Sequence, residues 1–216
     1  MDIYNSVVKK PWGEEYCAYK EDDISLWVLT INPDKKTSLH CHPKKKTGLI
    51  VLNGIAQINL IERHFQICGP SKINLRNSIF HQTHNVGKEP MFVLEVETPN
   101  DKFDLVRIDD DYGRENTEFE NDTKWVDLPK ENFQIPLNGN AAIFNGYWFQ
   151  VTNLEKSIPF TKDRVGFIVL LDKYAFTDKK GNGLCELGDV ISFSTFNLLR
   201  EKFTLCERAR SMLIWK

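Results

Sequence analysis

The first hundred or so residues of this chain are dense in short strand-like runs, some nearly wholly apolar and some with apolar and polar positions alternating, the spacing at which side chains fall on alternate faces of a strand. Ile24 to Ile31 is a run rich in Leu, Trp and Val, and Thr47 to Leu52 is another apolar run. After Asn53-Gly54 the pattern resumes as Ile55-Ala56-Gln57-Ile58-Asn59-Leu60, so the Asn-Gly pair predicts a hairpin turn between two strands. Phe65-Gln66-Ile67, Ser71 to Phe80 and Met91 to Glu97 supply further strands, with a break at Gly69-Pro70. Short strands, turns about every ten residues and hardly any helical period predict an all-β sandwich or barrel.

Asp104 to Glu120 changes character. It carries Asp109-Asp110-Asp111 and Tyr112-Gly113-Arg114 and reads as an ordered connection, dividing the chain into residues 1–115 and 116–216. In the second part Ala141 to Thr152, Val165 to Leu171 and Val190 to Phe196 again read as strands, and Gly181-Asn182-Gly183 marks a hairpin or loop. Phe196, Leu199, Phe203, Cys206 and Leu213 would also line one face of a helix, but the strand reading is preferred over 196–216.

Composition narrows the classes. With 216 residues, 41% hydrophobic and 12% aromatic, the chain can bury a core, which excludes general disorder. A formal charge of −2 implies no broad basic surface, so nucleic acid is not an expected partner. No apolar run approaches the roughly 20 residues that span a bilayer. The start, Met1-Asp2-Ile3-Tyr4-Asn5, shows no signal-peptide pattern, so the expected location is the cytoplasm. The five cysteines are odd in number, scattered and without a CxxC pair, which fits a reducing compartment and excludes a zinc ribbon.

All five histidines fall between residues 40 and 84. His40 and His42 stand two apart on a predicted strand and so share a face, and His81 follows after further strands. Imidazole is the commonest ligand for divalent transition metals, so convergence of His40, His42 and His81 predicts a metal-centred small-molecule site. His64 and His84 are expected at the surface or just outside that site. Cys41, between the paired histidines, should turn away from them as a small buried residue.

These residues resemble the two sequence motifs of the cupin superfamily. His40, His42 and Gly54 match the first motif; His81 and Asn85 match the second. The similarity is to the type II phosphomannose isomerase-like group. It is carried also by Lys10-Pro11-Trp12-Gly13-Glu14, by Thr37-Ser38-Leu39 leading into the histidines, and by Asp104-Leu105-Val106-Arg107 through Asp111-Tyr112-Gly113-Arg114. The resemblance implies a double-stranded β-helix, or jelly-roll, barrel, with the second part a degenerate cupin lacking the histidine site. It implies an isomerase acting on an anionic sugar, a sugar phosphate or nucleotide sugar, in surface-polysaccharide biosynthesis. A divalent metal (zinc, manganese, iron or nickel) would sit on His40, His42 and His81, which would also be the catalytic residues, and a homodimer is expected.

The chain departs from the pattern in ways that matter. Thr47 stands where the motif has its metal-binding glutamate, and Asn77-Ser78 replaces the Pro-Gly turn before His81. A threonine hydroxyl brings no charge, so metal should be weak or absent, with Thr47, His84 or Glu95 as the remaining candidates for a fourth ligand. Pro43-Lys44-Lys45-Lys46 follows the histidine pair, so Lys45 and Lys46, with Arg107, are candidates for binding the anionic part of the sugar, beside Trp12 and Trp27. Arg107 has a rival role in a salt bridge to Asp104. Two alternatives remain: a metal-independent nucleotide-sugar epimerase or ketoisomerase with a histidine base, and a non-catalytic carbohydrate-binding cupin.

Overall fold

The computed structural model describes residues 2–114, 124–155 and 164–216. The far end of the charged connection, residues 115–120, lies outside them. Two compact units emerge, Met1–Asn132 and Phe133–Lys216. The division falls later than the expected 115/116, because a strand at Trp125–Asp127 pairs back onto the first strand of the chain.

The first unit begins with a single 3-10 turn and then runs β1 (Ser6–Lys10), β2 (Gly13–Glu21), β3 (Ile24–Ile31), β4 (Leu39–Cys41), β5 (Lys46–Val51) and β6 (Ile55–Asn59). It continues with β7 (His64–Cys68), β8 (Ser71–Leu75), β9 (Gln82–Asn85), β10 (Met91–Thr98), β11 (Val106–Asp109) and β12 (Trp125–Asp127). One sheet has seven strands in the order β12-β1-β2-β3-β10-β5-β8. The other layer is built from β7-β6-β9 and β11-β4, joined by an isolated antiparallel bridge between His40 and His81. Among the described residues every strand pairing of this unit is antiparallel, and the two layers enclose the core in the manner of a jelly roll.

Asn53-Gly54 corrects one expectation. It does not close a hairpin, since β5 pairs with β8 and β10 whereas β6 pairs with β7 and β9. The turn instead carries the chain from one sheet to the other. Asn53 pins it by accepting from the N–H of Phe92 and donating to the carbonyl of Pro90, at 2.8 and 3.0 Å.

Register explains where the core is apolar and where it is not. Residues directly opposite in an antiparallel pair share a face. Trp27, Leu29 and Ile31 of β3, Leu49 and Val51 of β5, and Met91 and Val93 of β10 fill one end of the barrel. The same faces continue as Lys45 and Thr47 on the β5 side and as Glu95 and Glu97 on β10, all buried. The interior therefore passes from hydrocarbon to ionisable side chains along the strands. At the β1–β2 hairpin Gly13 has φ +146° and a Cβ there would stand 1.9 Å from the Thr30 carbonyl oxygen, so only glycine fits.

The second unit holds β13 (Ala142–Phe144), β14 (Tyr147–Asn153), β15 (Gly166–Leu170), β16 (Tyr174–Thr177), β17 (Gly183–Glu186) and β18 (Val190–Ser192). After these come α1 (Phe193–Lys202), β19 (Thr204–Leu205) and β20 (Arg210–Trp215). A five-stranded sheet, β13-β14-β20-β15-β18, and a three-stranded one, β17-β16-β19, pack on Phe176, Phe196, Ile168 and Leu213. Helix α1 corrects the strand reading of the last stretch. Ser192 caps it by accepting from the N–H of Thr195 at 3.1 Å, and Phe196 packs on Phe176. The strand pattern holds over Thr204–Leu205 and from Arg210 onward. Among the described residues no helix is long and apolar enough to cross a membrane.

Candidate metal centre

His40 lies on β4, His42 follows the end of that strand, and His81 sits opposite His40, exchanging backbone hydrogen bonds of 3.0 and 2.8 Å with it. Backbone pairing alone thus brings two of the three rings together. Ring centroids are 4.6 Å apart for His40 and His81, 5.0 Å for His40 and His42, and 5.4 Å for His42 and His81. One ligand nitrogen from each lies within 4.8 Å of the others.

The hydrogen bonds decide which nitrogen faces inward. Nδ1 of His40 is 2.8 Å from the Ser38 carbonyl oxygen, that of His42 is 2.7 Å from the Asp104 carbonyl, and that of His81 is 2.9 Å from the Ile79 carbonyl. A carbonyl only accepts, so each Nδ1 must carry the proton and each Nε2 keeps its lone pair. The Nε2 atoms of His42 and His81 are buried with no hydrogen-bond partner. Buried polar atoms are normally satisfied, and a metal-binding imidazole typically spends its other N–H on a carbonyl or carboxylate. The donor set therefore fits a divalent transition metal.

Electrostatics point the same way. Burial first, then its two imidazole neighbours, hold His40 well below the ordinary histidine range. Burial, then the Lys45 ammonium, push His42 down to about 2, and burial lowers His81 as well. Neutral imidazole is the form that binds a metal.

The rings open onto a cleft enclosing about 550 Å³, part of it continuous with solvent. Its charged wall was not visible in the sequence. Lys45 Nζ contacts Glu97 Oε1 at 2.7 Å; Lys102 Nζ contacts Glu97, Glu95 and Glu15 at 3.1, 3.3 and 3.6 Å; Lys10 contacts Glu15 at 3.2 Å. Lys102 also sits 4.1 Å from the ring centre of Trp27. Burial alone would raise the carboxyls of Glu95 and Glu97, yet Lys102 and Lys45 outweigh it and both lie below the usual range. The same carboxylates, with Glu15, hold Lys102 protonated against its burial.

The remaining sequence candidates fall as follows. Lys45 is not at an open rim but 1% exposed and paired, while Lys46 is absent from the cavity wall. Arg107 lines the cleft, its Nε donating to Ser38 Oγ at 3.3 Å; Asp104 Oδ2 is occupied by the N–H groups of Lys44 and Lys45, both at 2.9 Å. His84 lies 3.4 Å from the exposed Asp34 and is not one of the three clustered histidines. Glu95 lines the cleft but stands outside the histidine cluster. Thr47 is buried directly opposite Glu97, its hydroxyl without a partner. Trp12 borders the cleft, and Trp27 lies beneath Lys102. Reasoning from sequence missed Lys10, Glu15, Glu97 and Lys102. One signal was available: Glu95 and Glu97 alternate with Leu94 and Val96 inside an otherwise apolar strand.

The model of the family described as mannose-6-phosphate isomerase C-terminal matches residues 2–110. Alginate biosynthesis protein AlgA of Pseudomonas putida is 26% identical over 115 residues, which are 52% of this chain and 24% of that protein. Xanthan biosynthesis protein XanB of Xanthomonas campestris pv. campestris is 27% identical over 113 residues, 50% of this chain and 23% of that one. The chain thus spans about a quarter of the length of these relatives. Among solved structures, a Klebsiella pneumoniae protein with a double-stranded β-helix domain aligns with TM-score 0.41 and 16% identity, covering 44% of this chain and 84% of that one. The capsular polysaccharide assembling protein CapF of Staphylococcus aureus aligns with TM-score 0.44 and 15% identity, covering 48% and 34%.

Proposed function

Because this chain belongs to the mannose-6-phosphate isomerase C-terminal family of cupins, we propose that its first unit is a sugar-phosphate isomerase domain with a three-histidine metal centre. One observation carries the reading: three buried or half-buried imidazoles converge with every Nδ1 tied to a carbonyl, and two Nε2 atoms have no partner. His40, His42 and His81 would hold the metal. When bound, it would supply a Lewis acid that polarises a sugar carbonyl and stabilises negative charge on its oxygen. Glu95 is the residue assigned to move the proton between neighbouring carbons. One of its oxygens faces Lys102 at 3.3 Å, and it lines the cleft near enough to His81 for their charges to interact. Matches to proteins of alginate and xanthan biosynthesis favour a role in polysaccharide precursor supply. The second unit, which carries no histidine, is assigned as a degenerate cupin, a reading supported by its antiparallel sheets.

Elemental analysis of the purified protein, followed by incubation with mannose 6-phosphate in deuterated water, tests this. The expected result is bound metal, formation of the ketose phosphate and deuterium uptake beside the carbonyl, all lost in His81→Asn. A protein that retains no metal and turns over neither this ester nor a nucleotide sugar would overturn it. Turnover without metal would favour a second reading, supported by the Lys45 ammonium beside the histidines: a metal-independent isomerase with a histidine base.

A further inference from the structure

The three clustered imidazoles offer a metal nitrogen donors but no negative charge. Each Nδ1 keeps its proton on a backbone carbonyl, so each Nε2 donates as a neutral ligand. Among the described residues no carboxylate joins His40, His42 and His81 in the group of metal-ligating atoms. Thr47, at the position of the first cupin motif's glutamate, is buried and its hydroxyl has no partner. A divalent ion on this donor set would keep its full charge in a largely buried place, which is costly unless an opposite charge comes beside it.

The wall of the cleft does not supply that charge. Its bases are Lys10, Lys45, Lys102, Arg107 and Arg114, against the carboxylates of Glu15, Glu95 and Glu97. Bases still outnumber acids when Asp110, which accepts from Arg114 at 2.7 and 2.9 Å, is added to the count. The three glutamates are also engaged. Glu97 meets Lys45 at 2.7 Å and Lys102 at 3.1 Å, Glu95 meets Lys102 at 3.3 Å, and Glu15 meets Lys10 at 3.2 Å, with these side chains at most 8% exposed. Swinging one of them onto the ion would strand a buried ammonium. Three donors also leave a position open on an ion that takes four. The missing negative charge therefore has one way in, on a ligand from solution at that open position.

We propose that this centre takes up its divalent ion together with a small anionic ligand, each tightening the binding of the other, and that Thr47 is the residue that makes the metal depend on the anion. Linkage requires the effect to be reciprocal: whatever factor the anion adds to metal affinity, the metal adds to anion affinity. The proposal rests on the metal-centre reading of the three histidines and not on the isomerase reading.

Cobalt(II) is titrated into the metal-free full chain at neutral pH, in sodium azide, which coordinates, and in sodium perchlorate of equal concentration, which does not. Matched ionic strength separates coordination from screening. Uptake is read by calorimetry and by the visible absorbance of bound cobalt. Cobalt should bind at least about tenfold more tightly in azide, with an absorbance that changes when azide replaces perchlorate. Thr47→Glu carries its own negative charge, so it should bind cobalt more tightly than the parent in perchlorate and keep an azide enhancement of about threefold or less. Thr47→Val removes the unpartnered hydroxyl without adding charge and should keep the parental enhancement, which holds the test open if the glutamate variant does not fold. Equal cobalt affinity in the two salts would overturn the proposal and leave the metal centre standing. A full azide enhancement in folded Thr47→Glu, or its loss in Thr47→Val, would overturn the role given to Thr47. No cobalt uptake in either salt would overturn the metal-centre reading and this proposal with it. Coupled uptake without turnover of any sugar phosphate would overturn only the isomerase reading.

Discussion

Mild acid should destabilise the metal-free protein through its three clustered histidines, before the carboxylates begin to titrate. In an unfolded chain each imidazole takes up a proton near pH 6.5. In the folded barrel Nδ1–H is spent on a carbonyl, and a second proton would have to enter a buried cluster shared by two other rings. Burial, then Lys45, bring His42 down to about 2; burial is also the first cause of the depression of His40 and His81. A depressed folded-state value means that the stabilisation is complete above about pH 6.5 and is lost as pH falls toward the folded value. At pH 5 an unfolded histidine is almost fully protonated, which costs the fold about 2 kcal/mol for His42, and the depressed His40 and His81 act in the same direction. Even that single contribution is a sizeable part of the stability of a typical domain, about 5–15 kcal/mol. The slope near pH 5 should reach at least one proton, about 1.4 kcal/mol per pH unit, from His42. Glu95 and Glu97, also held below their usual range, act in a separate window under about pH 4.5. Urea unfolding from pH 8 to 5 with a chelator measures the slope, and 15N spectra of the rings report which nitrogen is protonated. His42→Asn should reduce the slope by about one proton. A slope below one proton in the parent, or a His42 ring titrating near 6.5 in the folded protein, would refute the reasoning.

Two further perturbations act on the wall of the site. Thr47→Glu places a carboxylate directly opposite Glu97, so the metal-free variant should melt below the parent while zinc raises its Tm by more than it raises the parent's. Scanning calorimetry with and without zinc measures both, and an equal zinc response would show that charge at position 47 does not limit binding. Glu97→Gln leaves Lys45 without its carboxylate partner and should cost about 3–5 kcal/mol in urea unfolding, while Lys45→Met combined with Glu97→Gln should recover a substantial part. A double variant no better than Glu97→Gln alone would mean that Lys45 was not the group left stranded.

The sequence by itself determined the all-β class, because strand alternation is a local property: Ile24–Ile31 and Met91–Thr98 form where the period of two predicts. It also determined that His40 and His42 share a face, since residues two apart on a strand do so whatever surrounds them. Three other features depended on pairings between distant segments. Asn53-Gly54 has the residues of a hairpin, but the strands it joins found partners in different sheets. Phe193–Lys202 became a helix because a serine cap and an apolar surface to cover were both available, where alternation alone favoured strand. The lysine run is the clearest case. A charged side chain reads as solvent-facing until a counter-charge is placed beside it, and Lys45 meets Glu97 only because β5 and β10 pair in the register that sets Glu97 opposite Thr47. Register between strands some fifty residues apart is a consequence of the whole core closing at once, so the buried ion network around the histidines was a decision of the tertiary structure.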